Sequence, residues 1–139
     1  MKKIFFELVV VFLVVASLGG FYTLKSNHEI GRKKVAQIVV SNHLDHLISI
    51  RIALELANEI STNKRTPEIL KIRGYEAQRA INVLDDMRKH LIVFKKFPIK
   101  EFDENLLNLK DDFNKGDPYL AVMRLAELIQ FVLDKSERA

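Results

Sequence analysis

The chain contains no cysteine, only three prolines and only five glycines among its 139 residues. The absence of cysteine excludes disulfide bonds, cysteine-ligated zinc or iron–sulfur sites, a cysteine nucleophile and a lipidated cysteine. Enzyme motifs are also missing, because the sequence has no nucleophile–base pair, no glycine-rich phosphate loop and no metal-binding motif. We therefore expect a protein that is not an enzyme and that needs no cofactor.

Long apolar runs are scarce too, and the longest one extends from Ile4 to Leu24 behind two lysines. At about 1.5 Å of rise per residue, a helix of this length spans about 30 Å, the thickness of the hydrocarbon core of a bilayer. A cleaved secretory signal is the alternative, but the small residues around Gly19 form no A-x-A site and the run continues past them. The sequence predicts a transmembrane anchor, or an uncleaved signal, at residues 1–25 and a separate domain at 26–139.

Positive charges near this run bear on its orientation. Lys2 and Lys3 precede it, while Lys25 and the segment 32–34 follow it, so the basic residues on the two sides are nearly balanced. A short basic start before an apolar run is typical of a chain whose following domain is exported. We expect a single-pass protein of a bacterial inner membrane with a periplasmic C-terminal domain. The net charge of +4 is mild and acidic residues are interspersed, which argues against nucleic-acid binding.

Beyond the apolar run, residues recur at three- and four-residue steps that predict amphipathic helices. The first such helix covers residues 32–62 and follows a polar exit at residues 25–31, where Ser26 or Asn27 could cap it. Its opposite side carries polar residues, among them Asn58. Its apolar residues form two adjacent rows that could face two or more neighbouring helices: Ala36, Val40, Leu47, Ile50, Leu54 and Ala57, and Leu44, Ile48, Ile52, Leu56 and Ile60.

Proline and glycine mark the boundaries of three further helices. Thr66-Pro67 is typical of a cap and first helical residue, and the second helix is predicted to run to about Lys95. The third helix ends at Gly116, and Asp117-Pro118 starts the fourth. No strand pattern or internal repeat is present. The sequence thus predicts an all-α protein in which the anchor precedes an antiparallel bundle of about four amphipathic helices.

Gly74 lies inside the predicted second helix. Glycine in a helix interior costs about 1 kcal/mol relative to alanine. We therefore expect a packing reason for it, such as a close approach of bulky side chains from the first helix at this position.

Aromatic and basic residues cluster where the second helix is predicted to end. The cluster contains Phe94, Lys95, Lys96, Phe97 and Phe102. It could plug one end of the core, or it could form a partly exposed apolar and basic patch that binds a partner. If the domain has a partner-binding site, we expect it at this cluster.

Arginines and histidines supply the other candidate sites. Arg51, Arg73 and Arg79 could line an anion-binding pocket between helices, because guanidinium groups bind carboxylates bidentately. The alternative is a solvated face with ordinary pairs along the helix. His43 and His46 are three residues apart, which suits one side of a metal site but not the spacing of a zinc hydrolase. Solvated or hydrogen-bonded histidines are the favoured interpretation.

Two classes of function fit these patterns. The first is a membrane-anchored, non-enzymatic accessory, assembly or regulatory subunit that contacts another membrane or periplasmic protein, or itself as a homo-oligomer. The second is a ligand-sensing periplasmic four-helix-bundle domain. The first is favoured, because sensors of this architecture usually return through the membrane and the sequence contains no second apolar run.

Overall fold

The computed structural model describes residues 2–63 and 66–137, and these residues are almost entirely helical. Helix α1 covers Lys2–Asn63, α2 covers Pro67–Leu91, α3 covers Ile99–Lys115 and α4 covers Pro118–Glu137. Neither described range contains a strand. The prediction of an all-α chain is confirmed.

The chain divides into two compact units, Met1–Val35 and Ala36–Ala139. In the first unit, the large apolar side chains from Ile4 to Leu18 are exposed. Within the described residues, α1 is the one helix long and apolar enough to cross a membrane, judged by length and composition alone. A signal sequence at the amino terminus has the same properties.

The polar exit expected at residues 25–31 is wrong, because α1 is helical through this segment. Ser26 and Asn27 therefore cap no helix start here. A cap matters only where the backbone leaves helical geometry, and nothing in this segment forces it to do so. Gly31 has no positive φ, and no proline interrupts the segment.

The predicted starts of α2 and α4 are confirmed by their caps. The hydroxyl of Thr66 accepts a hydrogen bond from the Ile69 N–H at 3.4 Å, and Asp117 Oδ1 accepts one from the Leu120 N–H at 3.0 Å. Gly116 ends α3 in the left-handed conformation with φ of 74°, as expected for a glycine just past a helix. Lys64 and Arg65, part of the predicted break before α2, lie outside the described residues.

Helix α2 ends at Leu91, one turn before the predicted end near Lys95. The N–H groups of Val93, Phe94 and Phe97 instead bond to carbonyls three residues earlier, which tightens residues 92–97 into successive turns. The sequence pattern missed this end because apolar residues continue through the turns, and Phe94 and Phe97 are buried there as they would be in a helix.

In the second unit, one apolar core contains side chains from all four helices and from the turns at residues 92–97. The first apolar row of α1 is buried, as predicted. The largest fully buried side chains are Leu47, Ile50, Leu84, Met87, Leu91, Phe102, Leu109, Leu125, Leu128 and Val132. Burial of apolar surface is the dominant favourable contribution to this fold.

The packing explanation for Gly74 is wrong, because a Cβ atom placed there would meet no heavy atom within 4 Å. We expect Gly74→Ala to raise the free energy of unfolding by about 0.5–1 kcal/mol, since alanine loses less backbone entropy in a helix. Gly116→Ala is the control and should lower it by about 1 kcal/mol, because a positive φ disfavours a Cβ atom. Chemical unfolding of both variants tests this, and a destabilised Gly74→Ala variant would contradict it.

Candidate functional site

The aromatic residues of the predicted partner site lie in the core. Phe94, Phe97 and Phe102 are only 3%, 6% and 0% exposed, whereas Lys95 and Lys96 are exposed. The Phe97 ring packs edge to face on Phe102, with ring centroids 6.2 Å apart. Of the two interpretations, the structure therefore supports the core plug for these three rings. Only the two lysines of this cluster are displayed to a partner.

A different apolar surface is exposed on α1, and it consists of Ile48, Ile52, Leu56 and Ile60. These side chains are 37%, 48%, 53% and 52% exposed. Their four-residue spacing places them in one row along the helix. The sequence pattern predicts these residues, together with Leu44, as a second row that faces neighbouring helices, but only Leu44 of that row is buried. We call these four residues the exposed α1 row.

A groove of 470 Å³ lies between α1 and α4. On the α4 side it displays Tyr119 and Met123, each 56% exposed. On the α1 side it carries charge from Arg51, Glu55 and Glu59. The groove therefore combines an apolar wall with a charged one, which is the usual composition at the edge of a protein-binding surface.

The two histidines of the candidate metal site are engaged with α2. His43 Nδ1 lies 2.8 Å from the Val39 carbonyl oxygen, and Nε2 lies 2.8 Å from Asp86 Oδ2. His46 Nε2 contacts the Arg79 guanidinium. Among the residues that the structure describes, no group of three His, Cys, Asp or Glu side chains is placed to hold a metal. These histidines join α1 to α2.

Ion pairs on the outer surface of the helices also join α1 to α2 and α2 to α3. The hydrogen bond from His43 lowers the pKa of Asp86, whose side chain is half exposed. Between α2 and α3, Arg88 holds Asp103 bidentately at 2.6 and 2.9 Å, which lowers the pKa of Asp103. Such pairs sit in solvent and each stabilises a fold only slightly. They orient the helices more than they stabilise them.

The three arginines of the candidate anion site do not come together. Arg51 lies 3.3 Å from Glu55 on its own helix and lines the groove against α4. Arg79 holds Glu76 with two hydrogen bonds of 3.0 Å. Arg73 lines a separate cavity. The structure thus splits the predicted pocket, and only Arg73 keeps a guanidinium that no carboxylate of the described residues engages.

Asn58, which the sequence analysis placed on the polar side of α1, is 4% exposed. Its Nδ2 donates a hydrogen bond of 3.0 Å to the Pro118 carbonyl at the start of α4. One signal in the sequence points to this burial, because Asn58 follows the core residue Leu54 by four positions. Asp112 is the other buried charged or polar side chain among the described residues, and it pairs with Arg124.

Comparison with models of protein families, with characterised proteins and with solved structures finds no match to this chain.

Proposed function

We propose that this protein is a single-pass, membrane-anchored accessory or assembly subunit that acts without catalysis, through contacts with another membrane protein. Residues 1–25 form the anchor, and the helices of the second unit form an antiparallel four-helix bundle on the periplasmic side of a bacterial inner membrane. The short basic start and the exposed apolar stretch that follows it support the anchor. The short connections between successive helices support the bundle.

The observation that carries this proposal is the exposed α1 row. Large apolar side chains that lie together on a surface mark sites of protein–protein or membrane interaction. This row lies in the domain that follows the proposed anchor, so we expect its partner to be attached to the same membrane. A helix of another membrane protein fits such a row, because apolar side chains at four-residue spacing pack against a second helix.

The test compares two charged variants in the full-length protein. We expect Ile52→Glu combined with Leu56→Glu to abolish crosslinking to the membrane partner, because two carboxylates would be buried without counter-charges in the contact. Leu107→Glu is the matched control, since Leu107 is equally apolar and 68% exposed on α3. Both variants should keep the thermal stability of the parent protein, because neither changes the core.

Crosslinking in intact membranes followed by mass spectrometry identifies the partner, and protease treatment of spheroplasts locates the domain. A recurrent membrane protein that is lost from the α1 variant and retained by Leu107→Glu supports the proposal. Equal recovery from both variants would place the contact elsewhere. Recovery of this chain alone would identify a homo-oligomer, and protection of the domain from external protease would put it in the cytoplasm.

A further inference from the structure

A cavity of 190 Å³ lies where α1, α2 and the turn between α3 and α4 meet. It is separate from the exposed α1 row, since none of the four residues of that row lines it. Since one water molecule takes up about 30 Å³ of the liquid, the cavity has room for roughly six waters or one small organic molecule. Its lining residues are mostly apolar, and its polar groups are Asn58, Arg73 and Asp117.

The first polar group is a buried acceptor without a partner. Asn58 Nδ2 donates to the Pro118 carbonyl, which fixes the orientation of the amide because a carbonyl can only accept. Oδ1 is therefore the other amide atom, and it is buried with no hydrogen-bond partner among the described residues. Buried polar groups are nearly always hydrogen-bonded in native proteins. Because this oxygen has almost no accessible surface, it is closed to a ligand, and recognition in the cavity depends on Arg73 and Asp117.

The second polar group is the Arg73 guanidinium. Within residues 36–137, Arg51, Arg79, Arg88 and Arg124 each pair with a carboxylate. Arg73 makes no such pair with any residue that the structure describes, although it lines the cavity. A planar guanidinium binds a carboxylate through two parallel hydrogen bonds. Arg73 is thus suited to the acidic end of a ligand.

Asp117 adds a negative charge to the same cavity. One of its oxygens, Oδ1, caps α4 by accepting from the Leu120 N–H. A donor group on a ligand would therefore find the Asp117 carboxylate on the cavity wall. Leu54, Ala77 and Phe113 provide the apolar part of the lining.

We propose that this cavity binds a small carboxylic acid that carries a hydroxyl or ammonium group beside its carboxylate and a short aliphatic side chain. Arg73 holds the carboxylate, and the Asp117 carboxylate accepts a hydrogen bond from the neighbouring donor. The aliphatic group lies on the apolar lining residues. Glycine at position 74 leaves the wall open, because no side chain there occupies the space.

The first experiment measures thermal unfolding of the full-length protein in detergent with three probes at equal millimolar concentration. L-valine and 2-hydroxy-3-methylbutanoate carry the donor, whereas 3-methylbutanoate lacks it. A ligand that binds the folded state raises the melting temperature. We expect a rise with at least one donor-bearing probe and a smaller rise with 3-methylbutanoate. No rise with any probe, or an equal rise with all three, would overturn the proposal.

Three variants then locate the binding. We expect Arg73→Gln to weaken binding of the effective probe about tenfold, because glutamine cannot pair with a carboxylate as an ion. Lys71→Gln removes an exposed positive charge outside the cavity and should leave the affinity unchanged. Gly74→Leu should fold normally, since the position is open, and should block binding by filling the cavity. Equal affinities in Arg73→Gln and Lys71→Gln would overturn the assignment.

Discussion

Replacing Phe102 by alanine should lower the free energy of unfolding by about 3–5 kcal/mol. The side chain is fully buried in α3 and its ring packs edge to face on Phe97. Phe97 in turn packs on Phe131 of α4, with ring centroids 5.9 Å apart. Removing the Phe102 ring leaves a cavity and takes away its contact with Phe97. Chemical unfolding of the full-length protein in detergent, followed by circular dichroism, measures the loss.

The control for this prediction is Leu107→Ala in the same helix. Leu107 is 68% exposed, so its truncation should change the free energy of unfolding by less than about 0.5 kcal/mol. A loss below about 1 kcal/mol for Phe102→Ala would show that this ring is not in the core. The aromatic cluster would then again qualify as a surface for a partner.

Replacing Arg124 by methionine should cost about 2–3 kcal/mol. Its Nε lies 3.0 Å from Asp112 Oδ2, and the Asp112 side chain is only 7% exposed. Removal of one partner leaves a buried carboxylate without a counter-charge, which costs 3–5 kcal/mol for a fully buried pair. Arg124 itself is 41% exposed, so water reduces that cost. Unfolding in urea gives the value directly.

Two further variants separate loss of the pair from loss of the arginine side chain. Arg88→Met breaks an ion pair in which both side chains are more than 40% exposed, and it should cost less than about 1 kcal/mol. Asp112→Leu combined with Arg124→Met removes both charges and should recover most of the stability. If the double variant is as unstable as Arg124→Met, the arginine contributes through packing and not through the carboxylate.

The starts of α2 and α4 are the part of this fold that the sequence predicts well. Thr66, Asp117 and the prolines that follow them act within one turn, so their effect on the backbone is independent of the rest of the chain. Gly116 is similar, because a positive φ is a property of one residue. Helix ends without such a residue are harder. Helix α2 stops at Leu91 because residues 92–97 form successive turns. The apolar periodicity of the sequence continues past that point and does not show the change.

Whether the candidate residues form a site depends on the distances between helices, and the periodicity of the sequence gives no information about those distances. The Arg73, Arg79 and Arg51 side chains have suitable chemistry for one anion site, but their helices place them in different surroundings. Phe94 and Phe102 were predicted for a partner site and are buried in the core, because a pattern of aromatic residues fits a core and a surface equally well. The burial of Asn58 was not predicted, because asparagine is usually solvated and the sequence pattern grouped it with the polar side of α1.

The hydrogen bond between Asn58 and Pro118 joins residues that are 60 positions apart in the chain. The core of the second unit consists mainly of leucine, isoleucine and other aliphatic side chains, which exchange neighbours at little cost when one helix slides along another. A slip of α4 by one turn would separate the Asn58 amide from its acceptor and leave it buried with both ends unsatisfied, at a cost of about 1–3 kcal/mol. This one amide therefore selects a single register between α1 and α4 from several that the aliphatic contacts alone would permit.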